Sequence, residues 1–260
     1  MDFIEVDATR CKGDCLCVLV CPSGCLGADD RGGPVAVDPA VCNACGHCVA
    51  VCPHDALTHS RVAAAEVREN LPTWPDAAVV DAMLRGRRSI RVYKDKPVAR
   101  EVLAELVDVA RFAPTASNAQ EVGWIIADAP AKVRELAVLT AAFFAASGAR
   151  PKYSALWDRG LDYFLRGAPA LAVAYAPDDA PYGAADCGIA LTFMELAAVA
   201  RGLGTCWAGL LVRAARNDAA LAKALGIPHG CVIEGGLMLG YPALRYAAVP
   251  PRNAVRAQWL

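Results

Sequence analysis

The sequence lacks an excess of charge of either sign, an apolar leader and any long run without charges. Its 260 residues carry 26 basic and 27 acidic side chains, and so provide no basic excess of the kind that nucleic-acid binding requires. The longest run without Asp, Glu, Lys or Arg is the stretch 39–54, which is shorter than the roughly 20 apolar residues that a membrane-spanning helix needs. The segment 1–10 includes three acids and no apolar run, which disfavours a secretory signal. These absences predict a cytoplasmic protein that binds neither nucleic acid nor a membrane.

Cysteine, by contrast, is abundant and unevenly distributed. Nine of the 12 cysteines lie between Cys11 and Cys52. In a reducing compartment, metal binding explains such a block better than disulfides do. The distribution divides the chain into a cysteine-rich domain 1–60, a linker 61–75 with charges and two prolines, and a domain 76–260 with ordinary helix and strand patterning.

The cysteine-rich domain contains an internal repeat, which aligns Cys11 with Cys42. The alignment continues at the same offset as far as Leu26, which aligns with Leu57. The second copy reads Cys-x2-Cys-x2-Cys-x3-Cys-Pro, a spacing in which three thiolates hold one cubane iron–sulfur cluster while the fourth reaches a neighbouring cluster. Zinc sites use separated pairs of ligands and fit this compact run poorly. The ligand positions are Cys42, Cys45, Cys48 and Cys52 in the second copy and Cys11, Asp14, Cys17 and Cys21 in the first.

The segment 1–60 resembles a bacterial-type ferredoxin with two [4Fe–4S] clusters. The resemblance implies that one cluster is held by Cys42, Cys45, Cys48 and Cys21. The other is then held by Cys11, Cys17, Cys52 and a fourth ligand at or next to position 14.

That fourth ligand is a departure from the pattern, because Asp14 stands where a cysteine belongs and Cys15 follows it. Either residue can supply a ligand. The repeat aligns Asp14 with the ligand Cys45 and aligns Cys15 with Gly46, which favours Asp14 as the fourth ligand. Because a carboxylate oxygen binds iron more weakly than a thiolate does, we expect this cluster to lose one iron readily and become [3Fe–4S]. Cys25 falls on Ala56 and is interpreted as a small buried apolar residue.

The second domain is predicted to be an α+β layer. Its apolar periodicity indicates helices at 76–86, 98–112, 131–147, 184–201 and 214–225, and strands at 123–127, 169–175 and 231–240. The segments 171–175 and 236–240 are apolar without alternation, as expected for strands that are covered on both faces.

Several segments of this domain are weak indicators of function when each is taken alone, but their order along the chain is informative. Residues 86–91 combine three guanidiniums and a hydroxyl, a composition able to bind phosphate. Residues 113–120 follow a helix with short donors and acceptors, and 202–209 form a Gly-permissive turn through which backbone can approach a flat ligand. Together with the segments 165–175, 237–242 and 250–252, they resemble the nitroreductase family of FMN enzymes over roughly residues 76–252. The resemblance implies a three-layer α+β domain with a central, mostly antiparallel sheet.

The same resemblance implies roles for individual residues. Arg87, Arg88, Ser89 and Arg252 match the phosphate-binding positions, and Arg91 matches the cation near the N1/O2 edge of the flavin. Ala208 and Gly209 match the backbone that faces flavin N5. Such proteins are homodimers with FMN at the interface, and residues 253–260 are a candidate exchanged arm. The loop that reaches the flavin of the partner subunit is matched by Pro114, Thr115, Ala116 and Ser117, and the next residue, Asn118, is a further cofactor-binding candidate.

The leading hypothesis is therefore an FMN-dependent oxidoreductase whose clusters receive electrons from a low-potential donor. The acceptors consistent with the family are nitroaromatics, quinones and activated alkenes, and no catalytic side chain is nominated. No strand followed by G-x-G-x-x-G is found, so a dinucleotide would dock only transiently. The alternatives are an electron-transfer or redox-sensing module that relays electrons to a partner protein, and a structural zinc protein.

Overall fold

The computed structural model describes residues 3–62 and 74–260 and divides into two compact units. Residues 1–74 with 117–119 form the first unit, and 75–116 with 120–260 form the second. The second unit thus begins one residue before the predicted domain start. Most of the predicted linker, residues 63–73, lies outside the described residues.

The described residues of the first unit form two short antiparallel sheets, two short α-helices and a 3-10 turn at Pro39–Val41. Strand β1 (Ile4–Val6) pairs antiparallel with β4 (Leu57–His59), and β2 (Leu26–Ala28) pairs antiparallel with β3 (Pro34–Ala36). Helices α1 (Leu16–Leu19) and α2 (His47–Val51) begin at positions that the sequence repeat aligns. The sequence repeat is therefore also a structural repeat.

The repeat extends to backbone conformation. Three pairs of aligned positions have positive φ, namely Gly13 (69°) with Ala44 (52°), Cys15 (58°) with Gly46 (74°), and Gly24 (63°) with Asp55 (57°). Each pair contains one glycine, the residue that adopts this conformation without strain, whereas for other residues it costs about 1–2 kcal/mol. Cys15 thus occupies a turn position whose counterpart is glycine.

The second unit is built on a four-stranded sheet in the order β5–β6–β8–β7, with every pairing antiparallel. The strands are β5 (Gly123–Ala127), β6 (Ala170–Pro177), β7 (Gly204–Trp207) and β8 (Cys231–Gly240). The helices are α3 (Ala77–Gly86), α4 (Arg100–Ala110), α5 (Pro130–Ser147), α6 (Pro151–Trp157), α7 (Gly183–Ala200), α8 (Gly209–Ala215) and α9 (Ala219–Leu225). Helices α4 and α7 pack on one face of the sheet, and α5, α8 and α9 pack on the other. This arrangement confirms the predicted α+β class with a central antiparallel sheet.

Strand β6 shows why these strands carry no alternating pattern. Ala170, Ala172 and Ala174 face the core beneath α4 and α7, while Leu171 and Val173 face the core beneath α5 and α8. Both faces exclude water, so every position is apolar.

Two predicted elements differ from the structure. Residues 204–207 are an edge strand paired with β8 rather than part of a turn, although Gly202 before them does have a positive φ of 74°. The helix predicted at 214–225 is two helices, and Asp218 caps the second by accepting a hydrogen bond from Leu221 N at 2.9 Å.

Helix α7 is, among the described helices, long and apolar enough to cross a membrane by length and composition. Nine of its 18 residues are buried inside the unit, however, including Asp186 and Glu195. Both carboxylates have hydrogen-bond partners within the protein. These contacts are those of a core helix.

Candidate cluster and cofactor sites

The first unit contains a cavity, called cavity A, that is lined by the four cysteines predicted to hold one cluster. The motif at 42–48 supplies three of these thiols and the other half of the repeat supplies the fourth. Cavity A is lined by Cys21, Cys42, Cys45 and Cys48, and also by Phe3, Pro22, Ser23, Cys25, Leu26, Asn43, Gly46, His47 and His59.

A second cavity, called cavity B, takes most of its donors from the other copy of the repeat. The first copy of the repeat supplies two thiols and a carboxylate, and the second copy supplies one thiol. Cavity B is lined by Cys11, Asp14, Cys17 and Cys52, and also by Val6, Lys12, Gly32, Pro34, His54, Ala56 and Leu57.

The structure separates Asp14 from Cys15. Asp14 lines cavity B, whereas the Cys15 thiol lies 3.3 Å from the carbonyl oxygen of Gly32 and 3.6 Å from that of Gly13. The Asp14 carboxylate accepts a hydrogen bond from Leu16 N at 3.2 Å, and its other oxygen lies 3.5 Å from His54 Nε2. Of these two residues, Asp14 is therefore the one whose side chain lies at the wall of cavity B.

The cysteines surround cavities rather than converging on a point. Among the residues that the structure describes, no three His, Cys, Asp or Glu side chains are grouped as the ligands of a single ion would be. Donors spread around a cavity suit a polynuclear core better than a mononuclear metal. Burial raises the pKa of the Cys48 thiol to about 11 and also raises that of Cys17, so a bound core must displace their protons.

Two residues of cavity A were not assigned a role there by sequence reasoning. Cys25 is buried as predicted, at 3% exposure, but its sulfur lies 3.3 Å from Cys21 Sγ. His59 Nε2 lies 3.4 Å from Cys42 Sγ. The burial of His59 lowers its pKa. No motif signals either contact, because the repeat aligns Cys25 with Ala56 and His59 with Ala28, so neither residue recurs in the other copy.

In the second unit, an open cavity lies beside the end of α3 and the start of β7. We call it the cationic cavity, since the part of the chain that the structure describes contributes four cations and no carboxylate to its wall. The cations are Arg87, Arg88, Lys94 and Arg245, beside Ala82, Met83, Gly86, Ile90, Val199, Gly202, Leu203, Gly204, Tyr241, Pro242, Leu244 and Tyr246. Lys94 and Arg245 were missed by sequence reasoning, because neither lies in a recognisable motif.

Arg87 is held by a buried carboxylate from a distant helix. Its Nη1 donates to Glu195 Oε1 at 3.1 Å, and the hydroxyl of Thr205 donates to the same oxygen at 2.7 Å. Glu195 and Thr205 are both buried. The guanidinium is therefore fixed while it lines the cationic cavity.

Ser89 and Arg91 belong to a segment that docks on β7. Ser89 forms a β-bridge with Thr205, and the amide of Ile90 donates to Thr205 O at 2.8 Å. Arg91 and Arg252 are exposed and do not line the cationic cavity. The phosphate-binding residues expected from the resemblance are thus brought together only in part, as Arg87 and Arg88.

The loop 114–118 is anchored by the other buried acid of α7. Ala116 N donates to the Asp186 carboxylate at 3.1 Å, and Gln120 N donates to Thr115 Oγ1 at 3.0 Å. Ser117 and Asn118 have φ values of 52° and 58°, and Pro114 is exposed. Positive φ at consecutive non-glycine residues costs energy and is typical of functional loops.

Ala208 and Gly209 differ in the availability of their amides. Ala208 is buried and its N–H donates to Gly236 O at 2.8 Å. Gly209 is exposed and is the first residue of α8, so its N–H has no acceptor within the helix. Of the two predicted backbone donors, only Gly209 is therefore left for a ligand.

The comparison with family models decides the identity of the second unit. A model described as the nitroreductase family matches residues 84–241, which is more than half of the chain. The chain belongs to the nitroreductase family. A second model, described as a 4Fe-4S binding domain, matches residues 35–58. The predicted order of an iron–sulfur domain followed by a nitroreductase domain is confirmed.

Individual relatives agree with this assignment. The chain has 32% identity over 188 residues, which is 67% of this chain and 71% of the relative, with a Bacillus subtilis protein named FMN reductase, NAD(P)H. A nitroreductase with bound FMN from Desulfitobacterium hafniense has a TM-score of 0.58 and 22% identity, over 68% of this chain and 96% of that one. A nitroreductase with bound FMN from Bacteroides fragilis has a TM-score of 0.56 and 23% identity, over 70% of this chain and 96% of that one.

The 4Fe-4S model covers only the second copy of the repeat. Cavity A takes three of its four predicted ligands from that copy, whereas cavity B takes only Cys52 from it. The family match thus supports an iron–sulfur domain, and the case for a second cluster depends on the geometry of cavity B.

Proposed function

We propose that this protein is an FMN-dependent oxidoreductase of the nitroreductase family whose FMN receives electrons from two iron–sulfur clusters in the same chain. One observation carries the proposal: two cavities, each with four donors drawn from both halves of a repeat, precede a nitroreductase domain. Four-iron clusters transfer single electrons, and FMN supplies chemistry that accepts one electron or two and passes a hydride or electron pair onward.

Cavity A fits a [4Fe–4S] cluster because the four thiols predicted as ligands all line it. Its ligands would be Cys21, Cys42, Cys45 and Cys48. Cavity B would hold its cluster through Cys11, Cys17, Cys52 and Asp14, with Cys15 outside the ligand set. The single oxygen ligand makes one iron of that cluster the easiest to lose, giving [3Fe–4S].

The nitroreductase domain fits a phosphate-bearing flavin because the cationic cavity has four cations in its described wall. Arg87 and Arg88 would bind the phosphate, with Ser89 and Arg252 beside them. Arg91 would stabilise negative charge at the N1/O2 edge of the flavin. Gly209 would offer its amide toward N5, and Pro114, Thr115, Ala116, Ser117 and Asn118 would contact the flavin of the partner subunit.

The electron acceptor is a nitroaromatic, a quinone or an activated alkene, and the donor to the clusters is a low-potential reductant. The Bacillus subtilis relative is named for use of NAD(P)H. A reduced dinucleotide acting directly on FMN would bypass the clusters, so the two donors are distinguishable by experiment.

The protein acts as a cytoplasmic homodimer with FMN at the interface. Residues 251–260 have no secondary structure, and Val255, Trp259 and Leu260 are almost fully exposed. An extended segment that exposes a tryptophan to water gains stability when the ring is buried, as it would be against a second subunit.

The test is anaerobic purification followed by measurement of iron, sulfide and FMN per chain. We expect about eight irons, about eight sulfides and one FMN, and reduction of a nitroarene or quinone when a ferredoxin-type donor is supplied. Turnover should fall when Cys42 and Cys45 are replaced by serine, while direct chemical reduction of the FMN should not. A colourless protein that contains zinc would refute the proposal, and a coloured protein without turnover would indicate a relay.

A further inference from the structure

His59 occupies a fixed position beside cavity A. It is the last residue of β4 and pairs with Ile4 of β1. The residue is 6% exposed, and its ring packs edge-on against Phe3 at 5.0 Å between centroids. The strand pairing and this ring contact leave the imidazole little freedom to rotate.

The hydrogen bond at Nδ1 fixes which ring nitrogen carries the proton. Arg61 N donates to His59 Nδ1 at 3.0 Å, so Nδ1 is an acceptor and the proton of the neutral ring is on Nε2. His59 Nε2 lies 3.4 Å from Cys42 Sγ. The ring therefore presents an N–H to the sulfur of a cluster ligand.

In the described part of the chain, the repeat position that corresponds to His59 carries no hydrogen-bond donor in its side chain. Cys42 corresponds to Cys11, and His59 corresponds to Ala28, which is the last residue of β2 as His59 is of β4. A methyl side chain cannot donate a hydrogen bond. Cavity B does contain a histidine, but His54 Nε2 lies 3.5 Å from the Asp14 carboxylate. The two halves thus provide the same number of ligands but differ in this donor to a cysteine sulfur.

We propose that the His59 N–H···S hydrogen bond to Cys42 makes the cluster in cavity A easier to reduce than it would be without the bond, and so differentiates the two clusters. This inference depends on the proposed function. Reduction adds one electron to the cluster and concentrates negative charge on its sulfurs, which an N–H donor stabilises. The electron comes from the low-potential donor, and the proton stays on His59 Nε2.

The matched variants are His59→Phe, which keeps a ring against Phe3 but removes the donor, and His59→Gln, which keeps a side-chain N–H at similar reach. Each cluster's midpoint potential is measured by anaerobic redox titration followed by EPR. We expect His59→Phe to lower the equilibrium constant for reduction of one cluster about tenfold, which is about 59 mV for a one-electron couple. The other cluster should not change, and His59→Gln should restore most of the shift.

A second measurement covers the case in which His59→Phe fails to assemble its cluster. Wild-type protein with 15N-labelled histidine, reduced and examined by electron spin-echo methods, should show coupling to a histidine nitrogen. The coupling should persist in His47→Gln, because His47 also lines cavity A but is exposed.

Two results would overturn the inference: unchanged potentials in a cluster-replete His59→Phe protein, or no histidine coupling in the wild type. Absence of clusters from wild-type protein would instead refute the proposed function.

Discussion

Asp14 is the residue at which the two halves of the first unit differ most in chemistry. One carboxylate oxygen accepts the Leu16 amide and the other lies near His54, while Cys15 contacts the Gly32 carbonyl. The ligand set proposed for cavity B follows from these contacts, because Asp14 lines that cavity and Cys15 does not.

We predict that Asp14→Cys makes the cavity B cluster resistant to air. A fourth thiolate binds iron more strongly than a carboxylate, so the variant should retain four irons where the wild type loses one. Iron analysis and EPR after timed exposure to air measure this. Cys15→Ala is the control and should behave like the wild type. If Cys15→Ala loses the cluster and Asp14→Cys does not differ, Cys15 is the ligand.

Arg87 and Glu195 form a partly buried ion pair that couples stability to phosphate binding. We predict that Arg87→Ala destabilises the second unit by about 2–3 kcal/mol, since it leaves a buried carboxylate without its cation. Glu195→Gln should cost less, because the amide oxygen can still accept from Thr205. Both variants should bind FMN more weakly, as measured by fluorescence titration.

The double variant separates the two effects. Arg87→Ala with Glu195→Gln should regain most of the stability lost by Arg87→Ala alone but should not regain FMN affinity. Urea unfolding of all four proteins completes the cycle. If FMN affinity recovers together with stability, Arg87 acts only on the fold.

At the scale of elements, the sheet edge at β7 positions the segment that carries Ser89 and Arg91. Gly204 opens β7, and a methyl group at this position would lie 2.4 Å from Ile90 Cγ1 and 2.7 Å from Ile90 Cβ. Ile90 is branched at Cβ and cannot swing away as a flexible side chain does. The segment 89–91 approaches the strand this closely because residue 204 has no side chain.

We predict that Gly204→Ala destabilises the protein by about 1–3 kcal/mol through overpacking and weakens FMN binding by displacing that segment. The control is Gly188→Ala on α7, where an added methyl meets no atom within 4 Å. This substitution should be neutral or stabilise by about 0.5–1 kcal/mol, because alanine favours a helix. Thermal unfolding with and without FMN compares them, and equal effects would contradict the prediction.

At the scale of the whole molecule, the C-terminal residues matter for assembly. Removing residues 253–260 deletes Val255, Trp259 and Leu260, whose side chains are exposed in the isolated chain. We predict that this truncation raises the dimer dissociation constant at least about tenfold, which corresponds to about 1.4 kcal/mol. Sedimentation velocity over a concentration series measures it. Replacing Arg256 alone with Gln should have little effect, and an unchanged truncated dimer would refute the exchanged arm.

The sequence by itself determined the part of the chemistry that depends on residues close together in the chain. The cysteine runs, their repetition and the ordered nitroreductase segments are each built from short stretches of chain, where local geometry dictates which side chains can act together. Apolar runs without alternation likewise predicted a sheet covered on both faces, because burial leaves a direct mark on composition.

Only the tertiary structure decided contacts between residues far apart in the chain. Strand β7 exists because it pairs with β8, and its residues resemble a turn when read alone. The link from Arg87 to Glu195 spans 108 residues, and that from Cys42 to His59 spans 17. Neither leaves a periodic signal, since one donor and one acceptor at arbitrary separation form no pattern until strand and helix packing brings them together.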